Sequence, residues 1–316
     1  MITALLEALQ FGFMRNALLV GVLVSVATGI IGTFVVVKRI VFISGGIAHA
    51  AYGGIGVGYY VKYTLLPLFF AGSVAATNPR PGYYPIVGAT LFSLIAAAIM
   101  GLVQRRTRQR ADTIIGVLWA IGMAMGIIFV DQTEGYKADL MSYLFGSILA
   151  VERSEVILIL VLDAIIVAVV ALFYKELLAI SFDETFATVE NLPVDAIYIV
   201  LLCLIALTVV MLMRVVGLIL VIAMLTIPAA IAGQYVRDMR RMMVWAIGLG
   251  VAFTVVGLFL SYAWNLTSGA SIILVAGVAY LISLAAARLR GYRWGGREAR
   301  VQGRIAPTQP PPEGEE

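Results

Sequence analysis

Long apolar runs, broken by short polar or basic stretches, set the pattern of this chain. The runs fall at about 13–37, 44–61, 85–103, 113–130, 154–174, 194–213, 216–235, 242–260 and 271–288. Most reach or approach the roughly 20 residues with which a helix crosses a bilayer. Lipid offers a backbone no hydrogen-bond partner, so segments of this kind cross as helices. Alternating ten-residue segments of the outer-membrane barrel type do not occur. The pattern predicts an all-α, polytopic membrane bundle of eight or nine spans, one domain over 1–290. Eight results if 1–37 or 194–235 is arranged differently. A shorter apolar piece, DLMSYLFGSILAV (139–151), predicts a re-entrant or half helix. The longest loop on the side opposite most of the charge, 62–84, holds three prolines before Pro85. It is either a plain connection or a docking place for an external partner.

Composition narrows the class further. Hydrophobic residues make up 62% of the chain and charged residues 13%, against about 25% charged in a soluble domain. The mean hydropathy is +1.01. So little charge does not cover a water-facing surface. The single cysteine, Cys203, forms no internal disulfide. The first run leads into Lys38-Arg39 instead of a small-residue cleavage site, and predicts a retained span.

Charge then gives orientation. The net charge is +4, and its basic clusters, 105–110, 237–241 and 288–300, each abut a span. That is the signature of cytoplasmic anchoring, not of nucleic-acid binding. With 38–39, 104–111, 175–193, 236–241 and the C-terminal tail inside, only Arg15, Lys62, Arg80, Lys137, Arg153 and Arg214 of the 22 Lys and Arg lie outside. The bias predicts a multi-pass protein of the cell membrane with the N-terminus outside and the C-terminus in the cytoplasm. The tail 291–316 is Arg-, Gly- and Pro-rich and predicts disorder.

Four features carry candidate chemistry. The only histidine, His49, lies in VFISGGIAHAAYGGIGVGYY (41–60). One helical turn away stand Gly45, Gly46, Tyr52 and Gly53. Residues 46, 50, 54 and 58 are Gly, Ala, Gly and Gly, a small-residue ridge that lets another helix approach closely. An ionisable group inside a span is costly, and neutral imidazole suits a borderline metal ion. His49 is a metal contact in a translocation path or a histidine hydrogen-bonded to a neighbouring helix.

The second feature is YKELLAISFDETFATVENLPV (174–194). Ser181 and Glu184 have capping-box spacing. Asp183 and Glu184 suit the first turn of a helix, and Phe182, Phe186 and Val189 recur on one face. Asn191 and Pro193 end the element. The polar face is acidic and lacks Lys and Arg, which disfavours an anionic lipid surface and favours the groove of a partner protein. Third, Pro228 interrupts a span, frees a carbonyl and predicts a kink, with Thr226 placed to satisfy the freed group. Fourth, Asp163 is the one acidic residue well inside a span. It is a second ligand, a partner for Arg153 or Arg214, or a structural group.

The pattern G-x-x-x-x-G-K-[ST] does not occur, nor do HExxH, CxxC or GxSxG. The chain carries no phosphate-binding loop of this type, and intramembrane enzyme chemistry has no motif to rest on.

Six stretches together resemble a known family. They are GTFVVVKRIVFISGGIAHAAYGG (32–54), ADTIIGVLWAIGMAMGIIFV (111–130), DLMSYLFGSILAV (139–151), YKELLAISFDETFATVENLPV (174–194), VVGLILVIAMLTIPAAIA (215–232) and SGASIILVAGVAYLIS (268–283). In that order they resemble the type II permeases of ABC importers for zinc, manganese and related divalent metals. The resemblance implies a homodimer with the path at its twofold axis. It implies a separate cytoplasmic ATPase dimer that binds ATP and an extracytoplasmic metal-binding protein that delivers the ion. No cofactor is implied for this chain itself. By the same resemblance, 174–194 couples to the ATPase, through Ser181, Phe182, Glu184, Phe186 and Val189. The family typically has Asp four residues before the histidine. This chain has Gly45 there, so Asp163 or Asp139 is a candidate oxygen ligand beside His49, and losing the carboxylate disfavours manganese relative to zinc. Two alternatives stand beside this reading: a related permease for an iron chelate or cobalamin, and an ATP-independent channel or secondary transporter, for which no inverted repeat is evident.

Overall fold

A computed structural model describes residues 10–69, 83–106, 111–133, 146, 148–151 and 153–305. Every long apolar run in these residues is a helix: α1 (Gly12–Val37), α2 (Val41–Tyr60), α3 (Tyr84–Arg106), α4 (Ala111–Asp131), α5 (Arg153–Leu172), α8 (Val194–Val216), α9 (Leu218–Tyr235), α10 (Met239–Trp264) and α11 (Ser268–Ile305). Two short helices, α6 (Tyr174–Phe182) and α7 (Glu184–Val189), lie between α5 and α8. Nine helices among the described residues are long and apolar enough to cross a membrane.

Three of them, α1, α2 and α8, are mostly buried, whereas α4, α5 and α11 leave most of their surface open. The bundle is therefore built around three central helices with apolar ones outside, as expected where lipid replaces water. One group packs α2 between α3 and α4, with α3 also against α8. A second packs α1 against α9 and α10, with α11 on α9 and α10, and α5 on α1.

Glycines set the first group. A Cβ on Gly54 would lie 2.2 Å from the Gly88 carbonyl oxygen of α3, and one on Gly122 of α4 would lie 2.4 Å from that of His49. Such backbone approach is open only to residues without a side chain.

Several elements differ from what the sequence predicts. α2 does not end at 61. It runs through a π-helical turn (Val61–Leu65) to Phe69, and Lys62 in that turn is buried with its ammonium 5.8 Å from the Tyr84 ring centroid. The predicted loop 62–84 is thus partly helix. The predicted half helix 139–151 lies mostly outside the described residues, Asp139 included. Its end forms a single 3-10 turn, Ile148–Ala150. α11 runs on to Ile305, into the tail from Gly291. Extending a formed helix needs no new nucleus, and Arg, Ala and Glu are good helix formers.

Candidate functional site

His49 sits in the middle of α2, buried at 6% exposure. Its Nδ1 lies 2.8 Å from the Gly45 carbonyl oxygen, one turn back. A carbonyl only accepts, so in the neutral ring Nδ1–H donates and Nε2 keeps its lone pair. That is the tautomer a metal contact through Nε2 requires. The ring also stacks on Trp119 of α4, centroids 3.9 Å apart and planes 29° apart. Gly45 faces the same indole, and Ile222 of α9 closes the other side of its open space. Gly46 meets Ile115, and Gly53 and Gly54 lie against the backbones of Gly122 and Gly88. The glycines around the imidazole are occupied by helix contacts, as a small-residue ridge allows.

Asp163 is brought to a different place. It is buried on α5 on the face of Ile159, Ile166 and Val170, and that helix packs on α1 and α8. Among the described residues neither carboxylate oxygen has a hydrogen-bond partner. Arg153, ten residues earlier on the same helix, stands about 15 Å away along the axis. Among the described residues no group of three or more His, Cys, Asp or Glu side chains gathers around a common point. In α9, the Thr226 hydroxyl donates to the Ile222 carbonyl at 2.8 Å and also reaches that of Ala223 at 3.3 Å. The carbonyl that Pro228 frees is that of Met224, four residues back. Thr226 thus serves the preceding turn and leaves the freed carbonyl to others.

The segment 174–194 forms two helices where the sequence predicts one. The break is at Asp183, whose backbone is extended. Its Oδ1 accepts from the Thr185 and Phe186 amides at 2.8 and 3.1 Å. Asp183 is the N-cap, and the Ser181–Glu184 capping box does not form. The Ser181 hydroxyl donates to the Leu177 carbonyl at 2.6 Å instead.

Glu184 is free for longer-range partners. It pairs with Lys38, at the end of α1, and with Arg105, in the last turn of α3, at 2.9 Å for the latter. Lys38 also donates to the Ile180 carbonyl at 2.7 Å. Arg105 reaches Asp195 at 3.3 Å, and both cations lie over the Tyr198 ring. The Tyr198 hydroxyl donates to Gln104 at 2.7 Å. Lys38, Gln104, Arg105, Ile180, Glu184 and Tyr198 line a cavity of about 400 Å³ at one end of the bundle. Phe182, which also lines the cavity, is 64% exposed, and Phe186 and Val189 are 58 and 74% exposed, an apolar patch on a segment otherwise anchored by charge.

Burial alone would raise the Glu184 carboxyl. The hydrogen bond and charge of Lys38 and the charge of Arg105 outweigh it and hold the group below the usual glutamate range. A depressed carboxylate stabilises the fold above its unfolded pKa, and the effect is lost as pH falls through the folded one. Glu184→Gln is therefore expected to lower the Tm in detergent at pH 7 by about 2–4 °C, the shift of ~1 kcal/mol in a large domain. The gap should close as the pH drops below the ordinary glutamate range. A gap that persists at low pH would show that charge is not what holds α7.

Sequence reasoning missed Trp119, Lys38, Arg105 and Tyr198. For Trp119 a signal exists: it shares one helix face with Gly122 and Gly126, at spacings of three and seven.

Nine helices among the described residues that are long and apolar enough to cross a membrane define a multi-pass membrane protein. The chain belongs to the ABC 3 transport family, whose model matches residues 10–287. It is 57% identical over 285 residues to an uncharacterized membrane protein of Synechocystis sp., covering 90% of this chain and 94% of that one. It is 32% identical to the manganese transport system membrane protein MntC of Listeria monocytogenes, again over 90% and 94%. Among solved structures, a chain of PsaBC from Streptococcus pneumoniae in complex with Fab matches with a TM-score of 0.74 and 31% identity, over 90% of this chain and 95% of that one.

Proposed function

We propose that this chain is the membrane permease subunit of an ATP-driven importer for a divalent transition-metal ion, zinc or manganese. One structural observation carries the ion path: the single imidazole, buried in the central helix, holds its proton on Nδ1 and offers Nε2. The manganese-named relatives, matched over most of both chains, support metal as the cargo. The chain works as two copies, with a cytoplasmic ATPase dimer that hydrolyses ATP and an extracytoplasmic metal-binding protein that hands over the ion. Lys38, Arg105 and Glu184 meet at one end of the bundle, the end that charge bias puts in the cytoplasm. There the Phe182–Phe186–Val189 patch docks on the ATPase, and Pro228 in α9 is the hinge for alternating access.

The test is metal-stimulated ATP hydrolysis by the reconstituted permease–ATPase complex with its binding protein, across zinc, manganese, iron and cobalt. Stimulation by at least one of these ions is expected, and none by any of them would sink the reading. In the same assembly, changing Phe182 and Phe186 together to Ser should lower co-purification of the ATPase by about tenfold or more, since exposed aromatic anchors dominate interfaces. The permease itself should stay folded, because both side chains point out of its core. Unaltered co-purification would move the docking surface elsewhere.

A further inference from the structure

We propose that Trp119 determines which ion His49 accepts, by standing in the space that Gly45 leaves empty. The inference rests on His49 being part of the ion path, as proposed above. Two separate observations place the indole. It stacks on the imidazole at 3.9 Å. It also closes on Gly45, where a Cβ would come within 3.2 Å of Trp119 Cζ3 and 3.8 Å of Cη2. A Cβ at position 45 would thus press on the indole, and a longer side chain there would need the ring to shift. Trp119 is 40% exposed and His49 only 6%, so on that face the indole is what an approaching ion meets.

The chemical result is a one-sided site. Position 45 contributes a carbonyl that is already engaged by Nδ1–H. The indole wall offers no oxygen and no lone pair. Among the described residues, what remains is one nitrogen, Nε2, beside an apolar ring. A borderline ion takes an imidazole nitrogen readily, whereas a harder ion needs carboxylate, carbonyl or water oxygens. The pair Gly45–Trp119 thus selects a zinc-like cargo over a manganese-like one. A carboxylate at 45 becomes useful only when the indole is gone.

The experiment measures uptake of zinc and of manganese, with kcat and KM separately, by the whole permease–ATPase complex in proteoliposomes. Wild type is compared with Trp119→Phe, Trp119→Ala, Gly45→Asp and the double variant Gly45→Asp/Trp119→Ala. Wild type should favour zinc, and Trp119→Phe, which keeps a flat ring, should retain the preference. Trp119→Ala should reduce the KM ratio of manganese to zinc by about tenfold or more, the usual scale for a group that sets a metal ligand's surroundings. Gly45→Asp alone should lose uptake of both ions. The double variant should regain uptake, now with manganese preferred. Trp119→Leu takes the place of Trp119→Ala, alone and in the double variant, if the latter does not assemble.

A wild type that prefers manganese, an unchanged ratio without the indole, or simple addition of the two single effects in the double variant would each overturn the inference while leaving the importer reading intact. A wild type that moves neither ion would overturn this inference, and the importer reading with it if iron and cobalt are not moved either.

Discussion

Changing His49 to alanine is expected to reduce metal uptake by the assembled complex by about a hundredfold, the upper end of what loss of a metal-site group costs. The reasoning is geometric. Nε2 is the only nitrogen of the ring left uncommitted once Nδ1–H donates to Gly45. A sharper comparison uses two amides of different length. Glutamine places its amide near the position of Nε2, and asparagine near that of Nδ1. His49→Gln should retain more uptake than His49→Asn, and the order inverts if Nδ1 is the contact. Equal uptake by His49→Ala and wild type, at matched protein in the membrane, would remove His49 from the path altogether.

The second large effect concerns the fold. A methyl added at Gly54 would meet the Gly88 carbonyl oxygen at 2.2 Å, and one at Gly122 that of His49 at 2.4 Å. Both obstacles are backbone, so neither moves without parting two helices. Gly54→Ala and Gly122→Ala should each destabilise the protein by about 3 kcal/mol, the upper range for overpacking. Gly116 and Gly248 are the controls, since nothing lies within 4 Å of a Cβ at either. Alanine there should be neutral or stabilise by up to ~1 kcal/mol through helix propensity. Thermal unfolding of the four variants in detergent checks this, and similar Tm values for all four would refute the close backbone packing.

The spans were legible because length and hydropathy act over whole segments. An error of a few residues changes little. The burial of Lys62 in the extension of α2 to Phe69 is not legible, because its contact with Tyr84 joins residues 22 apart in sequence. The same limit governed the site. His49 stood out as the one imidazole in an apolar run. Trp119 did not, because its role exists only once α4 lies against α2. Spacing alone gives Glu184 the local role of a first-turn acid, while its partners, Lys38 and Arg105, are 146 and 79 residues away. Asp183, next to it, took the capping role because its shorter side chain reaches the amides two and three residues on.

The position of Glu184 has a mechanical consequence. Lys38 ends α1, which belongs to the group with α9 and α10. Arg105 ends α3, which belongs to the glycine-packed group with α2 and α4. One carboxylate thus holds a rope from each half of the molecule. A push on α7 from outside does not tilt a single helix. It is divided between two blocks, in the manner of a toggle joint, and the seam between them is where the strain arrives.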